Sequence, residues 1–224
     1  MAPPKRKLLA WLPTVILSVA VVGVLVTAGV LISNGLGGPT PRPTSGQVTD
    51  LNWSSFTDDG LDYIAESRLV RIDLSDPTVD ATALGLEPDG TLVLAPIEQL
   101  DTSLDYALIV NGGGESPGGI RLTTSEVTIE TQAGVITRIT AAIPGVWTFR
   151  ETLNQLEARA EEFGWPATDR DALFDVQAEA ARNGTPYSFT LGPGERVGIG
   201  VSATAQCDPS GFCFVGYEVT PRVG

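Results

Sequence analysis

The chain contains no histidine, and its only lysines are Lys5 and Lys7. Without histidine there is no Ser-His-Asp or Cys-His catalysis, no imidazole ligand for a metal and no imidazole switch near neutral pH. Cysteine is almost as rare. Two thiols cannot build a four-thiolate zinc site or an iron–sulfur cluster from one chain. Cations are scarce as well: 14 Lys and Arg face 27 Asp and Glu, for a net charge of −13. That balance argues against nucleic acid, whose phosphates demand a basic face.

What the sequence does contain begins with residues 8–33, a run of 26 residues without a charge. At about 1.5 Å per residue a helix of this length spans roughly 39 Å, more than a hydrocarbon core of about 30 Å, and tilt absorbs the surplus. Trp11 lies where an interfacial ring belongs, and Pro13, Gly23 and Gly29 are tolerated in membrane helices. Lys5, Arg6 and Lys7 precede the run. Cationic flanks stay inside, so the reading is a basic cytoplasmic N-terminus at 1–7 and a signal-anchor helix at 8–33 in the lipid bilayer. The remainder is then extracytoplasmic at the cell membrane. The alternative is a secreted domain cut free after Val26, Thr27 and Ala28. A secretory apolar core runs only about 7 to 15 residues, which favours retention. No cysteine follows the run to accept a lipid.

Residues 34–49 are rich in Gly, Pro, Thr and Ser without an apolar period and read as an extended linker. At roughly 3.1 Å per residue it reaches at most about 50 Å. Every acid lies from Asp50 onward, and with three cations before the apolar run the rest of the chain carries −16. Such a domain is repelled by anionic headgroups and wall polymers. Solubility accounts for the charge; a basic partner is the functional alternative.

Within 50–224 the pattern predicts an acidic α+β domain of antiparallel sheet with two packed helices, divisible at 50–122 and 123–224. Thr148 and Glu151 match a capping box, and Phe149, Leu153, Leu156, Ala160 and Phe163 recur at helical spacing. Gly164 and Pro166 supply the stop. A second helix is expected from Thr168, with Asp169 and Asp171 at its positive end. It should bury Leu173, Val176 and Ala180, stop at Asn183 and Gly184, and run antiparallel to the first. Period-two stretches predict a hairpin over 127–143 and strands at 187–191, 197–205 and 215–219, with further strands at 68–74 and 91–95.

Cys207 and Cys213 flank a turn-rich loop and share the parity of the inward residues on both sides. If they oppose each other, Ala205 opposes Val215 and Ala203 opposes Tyr217, a consistent register. Outside the membrane such a pair oxidises to a structural staple; the C-x-x-C spacing of redox motifs is missing.

Residues 71–96 loosely resemble the opening strands of sortases. They carry no part of that catalytic motif, and the likeness is read as that of a β-hairpin.

No catalytic, cofactor-binding or metal-ligating residue stands out. Residues 111–119 are glycine-dense but lack the Gly-Lys-Ser/Thr and following helix of a phosphate loop. Asp58, Asp59 and Asp62, then Asp73, Asp76 and Asp80, miss the spacing of a calcium loop. Trp53, Trp147 and Trp165 sit near element ends, where rings pack or bind. The expectation is a non-catalytic binding or structural module of the cell envelope with a protein partner. The alternative is a wall hydrolase using two carboxylates.

Overall fold

The computed structural model describes residues 43–75, 80–99, 102–113 and 119–221. The expected anchor at 8–33, the linker up to residue 42, Asp76 and residues 114–118 of the glycine-dense stretch lie outside the described residues. Mixed helix and sheet are present as the sequence predicts, and no helix among the described residues is long and apolar enough to cross a membrane.

The chain forms Asp58–Ser67 (α1), Leu69–Asp73 (β1), a 3-10 turn at Thr82–Leu84 and Gly90–Leu94 (β2). A small hairpin, Ile97–Gln99 (β3) with Thr102–Leu104 (β4), precedes Tyr106–Asn111 (β5) and Gly119–Thr124 (β6). Then come Glu126–Gln132 (β7), Val135–Ala142 (β8) and Trp147–Thr148 (β9), followed by helices Phe149–Ala158 (α2), Ala160–Phe163 (α3) and Arg170–Asn183 (α4). Tyr187–Gly194 (β10), Gly200–Cys207 (β11) and Phe212–Thr220 (β12) complete the order.

The strands divide between two principal sheets. The larger runs β10-β11-β12-β8-β7-β2, with β9 beside β12, and is antiparallel throughout. The smaller runs β1-β5-β6 and corrects the expectation of antiparallel sheet alone, because β1 pairs with β5 in parallel. A parallel pair needs a long crossover. The chain between β1 and β5 provides it by visiting the larger sheet as β2. The hairpin reading of residues 71–96 is corrected by the same fact, since β1 and β2 lie in different sheets.

Alternation turns one face of each sheet into a shared core. Val70, Ile72, Leu108 and Ile120 come from the smaller sheet, and Val127, Ile139, Val201 and Val219 from the larger. Each such side chain stabilises by about 1.5–3 kcal/mol relative to exposure. At the corner between β6 and β7 the buried Thr124 hydroxyl lies 2.6 Å from the Glu126 carbonyl and 2.7 Å from that of Ala142. The Ser125 N–H donates to Ala142 as well, at 2.9 Å.

The capping box forms as predicted: the Glu151 N–H donates to Thr148 Oγ1, and the Thr148 N–H donates to the Glu151 carboxylate. The helical face is buried at Phe149, Leu153, Leu156 and Phe163. It is not one helix, however. The Arg159 N–H turns tightly onto the Leu156 carbonyl, and the chain restarts as α3 before Gly164 ends it at φ 76°. The second helix caps on Asp169, not Thr168, through the Ala172 N–H at 3.1 Å. Its expected stripe holds at Ala180, which is buried, and at Leu173, half-buried against the core, but not at Val176. Val176 is exposed, because the helix docks through Phe174, edge-on to Phe149 at 5.2 Å. Arg170 reaches Glu157 and Asn154 while Phe174 reaches Phe149, so contacts run in opposite directions along α2 and α4, as antiparallel neighbours require. The sequence reading has no counterpart of α1, which buries Ile64.

Candidate functional site

Arg121 and Thr123 point from β6 to its exposed side, whereas Leu122 points into the core. A groove of about 280 Å³ touches all three residues. Since alternate side chains leave a strand on opposite faces, a space meeting three in a row lies against the strand's edge. That edge is open: β6 ends its sheet, and among the described residues no backbone hydrogen bond outside the β5–β6 ladder reaches residues 120–123.

The opposite wall follows from the capping box. By fixing where α2 begins, it sets Trp147 just before the helix and Gln155, Leu156 and Arg159 along one side of it. Ile143 and Pro144, between β8 and β9, and Val215 and Tyr217 of β12 close the space. The surface is mostly apolar with a few polar tips, the usual character of a ligand groove, though at the small end of the usual size range.

Its charges are both positive. Arg121 is exposed and has neither ion pair nor side-chain hydrogen bond among the described residues. Arg159 is held: its Nε and Nη2 donate to the Glu162 carboxylate at 3.0 Å each, and its guanidinium lies 4.5 Å from the Phe163 ring centre and 5.5 Å from that of Tyr217. Burial opposes the Arg159 charge, but Glu162 and the Tyr217 oxygen outweigh it and raise its pKa. Burial also pushes the Tyr217 phenol up, with Arg159 pulling partly back, so the tyrosine that lines the groove is neutral at physiological pH. No carboxylate lines the space, in a chain with 27 of them. A guanidinium over an apolar floor suits a carboxylate or phosphate attached to an apolar body.

No family model, curated protein or solved structure matches this chain.

The residues singled out from sequence fall in several places. Cys207 and Cys213 are bonded and buried, 4.0 Å apart at Cα, in the register expected, with Ala205 opposite Val215 and Ala203 opposite Tyr217. Of the three tryptophans, only Trp147 lines the groove. Trp165 is buried and donates its indole N–H to the Val201 carbonyl at 2.7 Å, a packing role. Trp53 is half-buried. Asp58, Asp59 and Asp62 belong to α1. Asp73 accepts from Ser75 and from Asn111 Nδ2 at 2.9 Å, and Asp80 is held below its ordinary pKa by the Thr82 hydroxyl and N–H. Among the described residues no three acids gather to hold a metal. A smaller cleft of about 120 Å³, where Phe56 and residues 85–87 meet the β2–β7 pair, has one carboxylate, Glu87. Arg121 and Arg159 escaped the sequence reading, because nothing local marks them from the other arginines. Their common trait is an address beside one open edge, which exists only after folding.

Proposed function

We propose that the chain is a membrane-tethered, extracytoplasmic binding module whose ligand occupies the groove beside β6. The observation that carries the reading is the unpaired guanidinium of Arg121 beside an apolar floor that no acid lines, inside an otherwise acidic domain, while Arg159 in the same groove is already held by Glu162. A groove of that charge selects an anion from a surface that otherwise repels one. The reading departs from a basic partner, the functional use of the acidity considered first: the domain's overall charge keeps it soluble, and local charge sets what binds. Two-carboxylate hydrolysis would need a pair of acids about 5 to 9.5 Å apart across a substrate, and the groove beside β6 is lined by none among the described residues.

Location rests on the uncharged run at 8–33 with its cationic flank, and the Cys207–Cys213 bond supports it, because disulfides persist outside the reducing cytosol. Protease added to intact cells tests this directly. The domain should be cut away while the N-terminal segment stays with the membrane fraction. A domain protected in intact cells, or a mature chain beginning at Gly29, would refute the tether.

A further inference from the structure

We propose that the groove receives an extended segment of a partner protein, added as a new strand to the free edge of β6 and alternating acidic with apolar residues. The inference rests on the binding-module reading and specifies its ligand. Three observations converge on it. First, among the described residues β6 has no strand on its outer side and no backbone bond covers 120–123. Exposed edges of this kind accept a further strand through main-chain hydrogen bonds, spaced about 4.7–4.9 Å from the last one. Secondly, the empty space lies against that edge and not over a face, as its contact with Arg121, Leu122 and Thr123 together requires.

Thirdly, the pattern of the occupant follows from the pattern of β6. A residue opposite Arg121 points to the same side as Arg121, where a carboxylate makes a favourable cross-strand pair with an unpaired guanidinium. A residue opposite Leu122 points inward, toward Leu156, Val215 and Tyr217, a wall whose larger part is apolar and favours an apolar side chain. Acid and apolar residues therefore alternate with period two. A basic segment would place cation against cation at Arg121.

The test uses the full chain and a capped peptide, Thr-Val-Glu-Val-Glu-Val-Thr, followed by ligand-observed NMR. The peptide should bind, and the analogue with Lys for both Glu should bind about tenfold more weakly or worse. In a strand, alternate amides face opposite edges. N-methylating one alternate set should thus abolish binding while methylating the other leaves it intact. Arg121→Glu, at an exposed position without an ion pair among the described residues, should reverse the preference between the Glu and Lys peptides. Equal binding of the two peptides, or equal effects of the two methylated sets, would overturn the proposal. Phenylbutyrate, a carboxylate on an apolar body, separates the two levels of inference. If it binds and the peptide does not, strand addition is wrong and the groove remains a binding site. If neither binds, both readings fall. A full-chain dimer that the peptide cannot disperse and that Arg121→Glu dissociates would assign the edge to a second copy, again against a partner segment.

Discussion

In the larger sheet, β7 joins β8 and β11 joins β12 through short turns; the second turn is closed by the Cys207–Cys213 bond, and α2 packs on the buried face. In the smaller sheet, β1 meets β5 only after the chain has visited the other sheet, and among the described residues β6 is left with a bare edge. Both contribute to one core. Most of the local reinforcement therefore lies in the larger sheet, and the groove draws on it for one wall while the smaller sheet supplies the unfinished other. A rigid wall facing an open edge is an arrangement that holds a site in place and still leaves backbone groups free to bind.

Substitutions can break that division of labour. The largest effect is expected in the larger sheet at Gly192, whose φ is 95° and where an added methyl carbon would sit 2.7 Å from both Trp165 Nε1 and the Val201 carbonyl. Left-handed strain plus overpacking makes Gly192→Ala cost about 3 kcal/mol, read from urea unfolding. Replacing both cysteines by serine should cost about 2 kcal/mol, since the closed loop is short. Thr148→Ala, which removes the cap that sets α2 and Trp147, should cost about 1 kcal/mol. The smallest change in stability is expected at the groove itself. Arg121→Glu should stay within about 0.5 kcal/mol by the same unfolding assay, because Arg121 is exposed and has no ion pair among the described residues. A large loss there would mean that Arg121 belongs to the scaffold.

Protonation sharpens the comparison from the opposite direction. The Thr148 hydroxyl and N–H hold the Glu151 carboxyl below its ordinary value of 4.5. A depressed folded-state pKa means stability present above pH 4.5 and lost as pH falls through the folded value. Thermal unfolding followed through that range should show a weaker acid slope in Glu151→Gln. Tyr217 is the opposite case. Burial raises its pKa above 10.0, so its contribution is complete below pH 10 and declines as the phenol ionises above it. Tyr217→Phe should flatten that alkaline limb.

Most of the larger sheet was legible in the sequence because its signals are local. The odd-numbered run from Val201 to Cys207, the reciprocal Thr148 and Glu151 side chains and the Asn183-Gly184 stop each act within a few residues. The parity of the two cysteines was enough to set a hairpin register. What escaped was non-local. The pairing of Leu69 with Ala107 joins segments far apart in sequence, and nothing near either one announces it. The failure at Val176 has the same origin: helical spacing placed it inward, but the Phe149–Phe174 contact decided which side of α4 docks. The groove is non-local in all its parts, assembled from β6, the turn before α2, α2 and β12.

Amide hydrogen exchange on the full chain, free and with the Glu-containing peptide, probes the contrast most directly. In the free protein the β11 and β12 amides should exchange slowest, and the β6 amides that face away from β5 should exchange quickly. Adding the peptide should slow those outer β6 amides and leave β11 unchanged. Outer β6 amides already protected in the free chain, or unaltered by the peptide, would contradict an open edge that binds.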